Sequence, residues 1–358
     1  MQIVPSVAKN LINKLDELQL KGISVIKHEG YTRLYYNLIA GADFNDYETC
    51  LCRGITFNEQ GKIVCCPFVK FGNYGEGYVP DIDWASARVL EKLDGSLIML
   101  WFDNNFWHIS TSKNINAFDA PVGIINSTFG ELFVEAMIKQ GLIYATLNPD
   151  YTYMFELTSP YNKVVVPYEK TEIWHIGTRD NITLREVEVN IGIQKPKEYP
   201  VSSLEECINA AAALCDNGIK EGFVVVDKYY NRIKVKSPLY ISLHHTHNNG
   251  QISRKDILSL IFNREEGEYL TYFPEKTIII NRYKEKIMKI VDLMEAELYK
   301  YKEHLVKMAR KDVAIFIKDM FTIPDFGFVN LYKNEICAWD YLQKLSVDAI
   351  LKIIGEKE

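Results

Sequence analysis

Glu91-Lys92-Leu93-Asp94-Gly95-Ser96 sits between two apolar runs, Ala87–Leu90 and Leu97–Phe102, that both read as strands. A lysine at the end of a strand, beside a tight glycine turn, is held rigidly with its amine facing a cleft. At an ordinary pKa of about 10.4 it offers little free amine at neutral pH. To act as a nucleophile it needs desolvation or a neighbouring positive charge, which a bound magnesium ion would supply. The K-x-D-G pattern alone is weak, because a solvated lysine on a surface hairpin has the same four letters.

Three downstream stretches change that balance. Phe155-Glu156 closes the predicted strand Tyr153–Phe155 and places a carboxylate at its end. Glu221-Gly222-Phe223-Val224-Val225-Val226 offers a second carboxylate leading into a buried strand. In Arg232-Ile233-Lys234-Val235-Lys236 the two-residue period puts three cations on one face and two apolar side chains on the other. Glu156 and Glu221 could hold a hydrated magnesium ion. Lys234 and Lys236 could neutralise an α-phosphate and a leaving pyrophosphate.

Outward from these motifs, the first half of the chain is strand-rich. Ile23–Ile26, Leu34–Tyr36, Gly54–Phe57, Ile63–Cys65, Lys163–Val166 and Ile173–Ile176 read as short strands. Helices are predicted over 7–20, with Val7, Leu11, Leu15 and Leu18 on one side, and over 128–140 and 203–215. After about residue 243 the chain turns polar and helical, with a long helical stretch at 276–312, a break at Pro324 and Gly327, and a further helical run to 356. The His, Asn and Gly cluster at His244–Gly250 marks the boundary. The expected organisation is therefore 1–243 and 244–358.

The 358 residues carry 41 basic and 47 acidic side chains, a net charge of −6, which excludes a uniformly basic surface but not one basic cleft. No run reaches the roughly 18 apolar residues of a membrane span, and Met-Gln-Ile-Val-Pro-Ser does not resemble a secretory leader, so a cytoplasmic protein is expected. The seven cysteines read as reduced thiols. Cys50, Cys52, Cys65 and Cys66 have poor zinc spacing and read as core residues, whereas His244, His245 and His247 form either a metal site or a polar linker. Gly72, Gly75 and Gly77 make no dinucleotide fingerprint, and there is no P-loop, so side chains must bind any phosphate.

Lys92-x-Asp94-Gly95, Phe155-Glu156, Glu221-Gly222 and Lys234-Val235-Lys236 together resemble the ordered motifs of the covalent nucleotidyltransferase superfamily, which comprises DNA ligases, RNA ligases and mRNA capping enzymes. Trp174-His-Ile-Gly177 occupies the place of its intermediate motif. Cys52-Arg53-Gly54-Ile55-Thr56-Phe57, Pro67–Asn73, Ser110-Thr111-Ser112-Lys113 and Lys236–His244 are similar to segments of the phage-type RNA ligase one family.

That resemblance implies an α+β fold: a ligase-type nucleotidyltransferase domain of antiparallel sheets, unrelated to ATP-grasp, followed by an all-α C-terminal domain with a role in RNA specificity. It implies an ATP-dependent RNA ligase, with Mg2+ or alternatively Mn2+, acting as a monomer on RNA with 5′-phosphate and 3′-hydroxyl ends, tRNA among them. Lys92 would form the lysyl-AMP bond. Arg53, Lys70, Lys234 and Lys236 would contact the nucleotide or its phosphates, and Lys113 a substrate or phosphate. Glu156 and Glu221 would organise metal and ribose, and Trp174 would stack on the base. A DNA ligase, a capping guanylyltransferase, or a catalytically silent RNA-binding protein on the same fold are the alternatives.

Overall fold

The computed structural model describes residues 3–37, 42–77, 79–123, 125–162, 164–214, 219–245, 252–332 and 337–356. The chain divides into two compact units, Met1–His244 and His245–Glu358.

The first unit opens with α1 (Pro5–Asn10) and α2 (Leu15–Leu20), joined by a single 3-10 turn at Leu11–Asn13. The predicted helix over 7–20 is thus interrupted, although Leu11 and Leu18 are both fully buried as its pattern requires. Lys14, at φ −122° and ψ 29°, is where the helical path breaks. These helices and α3 (Tyr47–Leu51) pack on the sheet formed in order by β1 (Ile23–His28), β2 (Tyr31–Tyr36), β3 (Arg53–Phe57) and β4 (Ile63–Cys65). Cys50, Cys52, Cys65 and Cys66 lie in this core, and burial pushes the Cys50 and Cys66 thiols up to about 11 and that of Cys65 to about 12. They are packing residues. Among the described residues no group of three or more His, Cys, Asp or Glu is placed to hold a metal.

Beyond it run β5 (Arg88–Lys92), β6 (Ser96–Asp103), β7 (Phe106–Thr111), the short pair β8 (Pro121–Val122) and β9 (Ser127–Thr128), then β10 (Tyr151–Thr158), β11 (Glu172–Asp180), β12 (Glu198–Tyr199), β13 (Gly222–Val226) and β14 (Arg232–Lys236). Apart from the β8–β9 pair, which forms its own two-stranded sheet, they build two antiparallel sheets, ordered β11-β10-β6-β7 and β12-β5-β13-β14. Helix α4 (Phe129–Lys139) covers the first of these, burying Leu132, Phe133, Ala136 and Met137 against Ile98, Leu100 and Phe155. A capping box between Thr128 and Glu131 fixes its start. Helix α5 (Leu204–Ala213) covers the second sheet through Cys207 and Ala211. Cys215 lies outside the described residues.

Arg33 is wholly buried. It donates to Thr56 Oγ1 (2.9 Å), Ser110 Oγ (2.9 Å) and the carbonyls of Thr111 and Asn114, clasping β2 and β3 to the end of β7. Burial lowers its pKa to about 10. The strand predicted at Lys163–Val166 does not form over its described part, 164–166. The N–H groups of Val165 and Val166 go instead to a carboxylate of Asp94, at 2.8 and 2.7 Å.

The unit closes on α6 (Pro238–His245). The second unit is all helical, with α7 (Arg254–Phe262), α8 (Glu266–Tyr272), α9 (Thr277–Leu305), α10 (Arg310–Met320), α11 (Pro324–Tyr332), α12 (Ala338–Gln343) and α13 (Val347–Ile353). Ile280, Tyr283, Ile287, Met294, Leu298 and Leu305 recur along the buried stripe of the 29-residue α9, on which α7, α11 and α12 pack. Pro324 begins a helix rather than ending one, since its missing N–H falls in the first turn, where no intrahelical partner is needed. No helix among the described residues is long and apolar enough to cross a membrane.

Candidate active site

A cleft of about 190 Å³ is lined by residues of both later sheets. The register of one of them builds its floor in rows. Lys92, Gly222 and Lys236 are paired across β5, β13 and β14; Leu90, Val224 and Lys234 form the next row, and Arg88, Val226 and Arg232 the third. Because side chains two apart share a face, Lys234 and Lys236 follow Arg232 along one side, and Leu90, Val224 and Val226 give the floor an apolar centre. Leu97 of β6, Glu156 of β10, and Ile176, Gly177 and Thr178 of β11 line the cleft from the other sheet.

Lys92 ends β5, and its Nζ lies 2.6 Å from Glu221 Oε2. Glu221 is buried and precedes Gly222, whose φ is +141°. A Cβ there would strike the carbonyl oxygen of Val235 and lie 2.6 Å from Lys236 Cα. Glu156 accepts the Gly95 N–H at 3.1 Å. Burial pushes its carboxyl up to about 7; Lys92 opposes the shift and Glu221 adds to it. Glu156 stands inside β10, two residues before its end, not at a strand terminus as the sequence suggested.

Cations converge on the same place. Burial, then Lys70, Arg53, Lys92 and Lys236, hold the Lys234 ammonium well below its ordinary pKa. Two of these cations share the Phe71 ring, with the Arg53 guanidinium and the Lys234 ammonium each 5.1 Å from its centroid. Arg53 Nη1 is buried without a hydrogen-bond partner. An enclosed set of like charges with an orphaned donor is built for an anion with several oxygens. The two carboxylates, one of them raised partly by the other, suit a divalent cation, which commonly takes one or two carboxylates and completes its shell with water and substrate phosphates.

Asp94 does not face this chemistry. Its Oδ2 accepts the Val165 and Val166 N–H groups, its Oδ1 accepts the Tyr240 hydroxyl at 2.8 Å, and its own N–H donates to Tyr168 Oη at 3.0 Å. It is a hub that fixes the turn after Lys92.

Of the residues singled out in the sequence, Arg53, Lys92, Glu156 and Lys234 line the cleft, and Glu221 joins through Lys92. Lys236 stands in the Lys92 row, 5.9 Å over the Tyr240 ring, and Lys70 lies across Phe71. Trp174 and Lys113 are not brought to the lining. The Trp174 indole donates to Thr158 Oγ1 at 3.1 Å. A bulge in the β10–β11 pairing leaves Ile176 without a partner between Gly177 and His175, and all three border the cleft. Lys113 is exposed on the turn after β7. His244 stacks on Tyr240 at 5.8 Å, while the His245 side chain and His247 lie outside the described residues. Phe71, Tyr168 and Tyr240 were missed as contributors; Phe71 and Tyr240 sit inside stretches quoted for their neighbours.

Two antiparallel sheets bordering one cleft, a strand-end lysine paired with an acid and a set of half-buried cations are the arrangement expected of a covalent nucleotidyltransferase. The model of the RNA ligase family matches residues 51–240, more than half of the chain, and the chain belongs to that family. It is 27% identical over 299 residues to the RNA ligase of Rhodothermus phage RM378, covering 64% of this chain and 67% of that one. A protein of Autographa californica nuclear polyhedrosis virus, whose name joins a polynucleotide kinase to an RNA ligase, is 31% identical over 255 residues. That match covers 65% of this chain but only 36% of the viral protein, so the chain spans about a third of that relative's length. Among solved structures it is similar to an archaeal ATP-dependent RNA ligase, at 14% identity and a TM-score of 0.45, over 80% of this chain and 82% of that one.

Proposed function

We propose that the protein is an ATP-dependent RNA ligase that joins 5′-phosphate and 3′-hydroxyl RNA ends through a nucleotide carried on Lys92. The observation that carries this reading is the pairing of Lys92 Nζ with Glu221 at 2.6 Å, at a cleft that Arg53, Glu156 and Lys234 also line. The Lys92 nitrogen attacks the α-phosphorus of ATP, the bond to pyrophosphate breaks, and the ammonium proton has Glu221 Oε2 within reach. Arg53 and Lys234 offset the charge on the phosphates, with Lys70 and Lys236 at the margins. A phosphate oxygen of the RNA 5′ end then displaces the Lys92 nitrogen from the adenylate, and a 3′-hydroxyl displaces AMP to close the strand. Each displacement has a good leaving group, which is the gain from splitting the reaction.

Glu156 and Glu221 are the residues that would hold a divalent cation, Mg2+ or Mn2+, which supplies positive charge beside the α-phosphate. The apolar centre of the floor, with Ile176 and Gly177 opposite, suits a flat base.

The test is incubation with ATP labelled at the α-phosphate, followed by a 5′-phosphorylated single-stranded RNA. A labelled protein adduct that is discharged into RNA, and then into circles or joined strands, is expected. Transfer from GTP alone would point to a capping activity, and sealing of nicked DNA alone to a DNA ligase.

A further inference from the structure

A second cavity, of about 360 Å³, adjoins the cleft, and Phe71, Glu186, Tyr230 and Arg232 belong to the walls of both. Its size falls within the roughly 300–1,000 Å³ of small-molecule sites. Its further lining includes Phe44, Tyr47, Lys70, Gly77, Val79 and Pro80. Lys70 is half-buried, with its ammonium 4.8 Å over the Phe44 ring and 5.6 Å over that of Tyr36. Among the described residues its side chain has no hydrogen bond and no ion pair. A half-buried cation that meets only ring faces is incomplete without an anion brought by a ligand. Arg53 and Lys234, on the cleft side of Phe71, complete a cationic bridge between the two spaces. Aromatic and apolar walls beside a cation are the chemistry of a stacked nucleobase with its phosphate.

The intermediate of the proposed reaction has a matching shape. When the RNA 5′-phosphate takes the adenylate, the P–N bond to Lys92 breaks, a P–O–P bond forms, and the amine leaves carrying a proton. The product has two nucleosides separated by a diphosphate. Granted the lysyl-nucleotide chemistry proposed above, on which this depends, we infer that the second cavity receives the first nucleoside of the 5′-phosphorylated RNA end. The adenosine then occupies the cleft, the diphosphate lies over Arg53, Lys70 and Lys234, and the terminal base sits beyond Phe71.

Gly77 provides the test, because a Cβ built on it meets nothing within 4 Å. Gly77→Trp begins its side chain in open space at the cavity wall and is the variant chosen to occupy it. Two rates are compared with wild type: labelling of Lys92 by ATP, and sealing of a synthetic pre-adenylated RNA. Unchanged labelling with at least about a tenfold rise in KM for the pre-adenylated RNA is expected, with Gly77→Ala near wild type. Sealing at the wild-type KM, or an equal loss of labelling, would overturn the assignment, the second outcome giving the cavity to ATP itself. If Gly77→Trp folds poorly, wild-type protein can be crosslinked to pre-adenylated RNA bearing a photoreactive base at its first position. Adducts on the segment from Phe44 to Tyr47 or on Val79-Pro80 are expected, and adducts confined to other segments would overturn it. Failure of wild type to label at all would strike the proposed function rather than this subsite.

Discussion

The Tyr240 hydroxyl donates to Asp94 Oδ1 at 2.8 Å, across 146 residues of sequence, and so ties the first turn of α6 to the turn that follows Lys92. Both Asp94 oxygens are used, the other by the backbone of Val165 and Val166. Asp94 is buried, and its satisfied carboxylate fixes three segments at once: the Lys92 turn, the 164–168 loop and α6.

Tyr240→Phe removes one hydrogen bond to a buried charge and leaves the ring. Such bonds contribute about 1.5–3 kcal/mol. If the bond matters for placing Lys92, labelling by ATP should slow by roughly ten- to a hundredfold, with little change in the KM for ATP. Asp94→Ala, which frees all three segments, should be slower still. A Tyr240→Phe protein that labels at the wild-type rate would leave the contact a purely structural one.

Replacement of Lys92 should abolish the covalent adduct whether by alanine or by arginine. Arginine keeps the charge beside Glu221 but stays protonated at any working pH and cannot attack phosphorus. Detection of the adduct by gel or intact mass in Lys92→Ala would remove this residue from the chemistry.

Glu156 makes stability depend on pH in the absence of ligands. Its carboxyl titrates at about 7 in the fold, raised by burial and by Glu221, against an ordinary 4.5. Between those values the folded state holds a proton that the unfolded chain has lost. Its contribution is therefore fully present below 4.5, falls as pH rises, and is lost above about 7. Glu156→Gln should accordingly raise Tm at pH 8 relative to wild type, by at least about 2 °C, and less or not at all at pH 5. Added Mg2+ or Mn2+ should narrow the gap at pH 8 by stabilising only the wild type. Thermal scans at the two pH values decide the point, and an equal Tm difference at both would contradict it.

The site was most legible where chemistry and period coincide. Lys92, Glu221, and the alternation of Arg232, Lys234 and Lys236 could be read because a strand exposes every second residue, and the structure carries that alternation into the rows of the floor. What stayed hidden depends on irregular backbone. The bulge at Ile176, in the stretch of β11 that lines the cleft, adds one residue to one strand and leaves no mark in composition. Val165 and Val166 have strand-like side chains, yet their N–H groups serve Asp94, a partner about seventy residues earlier. The all-helical character of the second unit was plain from its pattern, but Pro324 could equally stop a helix or start one. Only the fold shows which, with Pro324 as the first residue of α11.

Two glycines should be intolerant for different reasons. At Gly222 the backbone has a φ of +141°, and a Cβ would collide with the Val235 carbonyl and the Lys236 backbone, both in the neighbouring strand. No rotation of a side chain relieves that clash, so Gly222→Ala must push β13 away from β14. That shift would break the row of Lys92, Gly222 and Lys236 and displace the adjoining Glu221 from Lys92. At Gly95 the φ is ordinary, but a Cβ would strike the Leu157 carbonyl and approach Glu156 Cγ at 3.1 Å. Gly95→Ala must separate the Lys92 turn from β10 and lengthen the bond from its N–H to Glu156. A displacement of about 1 Å in a reacting group can cost about a hundredfold in rate. Both variants should therefore lose Lys92 labelling by that order, and Gly222→Ala should also lower Tm, because it disturbs a central sheet pairing. Labelling within a factor of about three of wild type in either variant, measured on protein with an unchanged circular dichroism spectrum, would show that the turn or the strand can yield without moving Lys92.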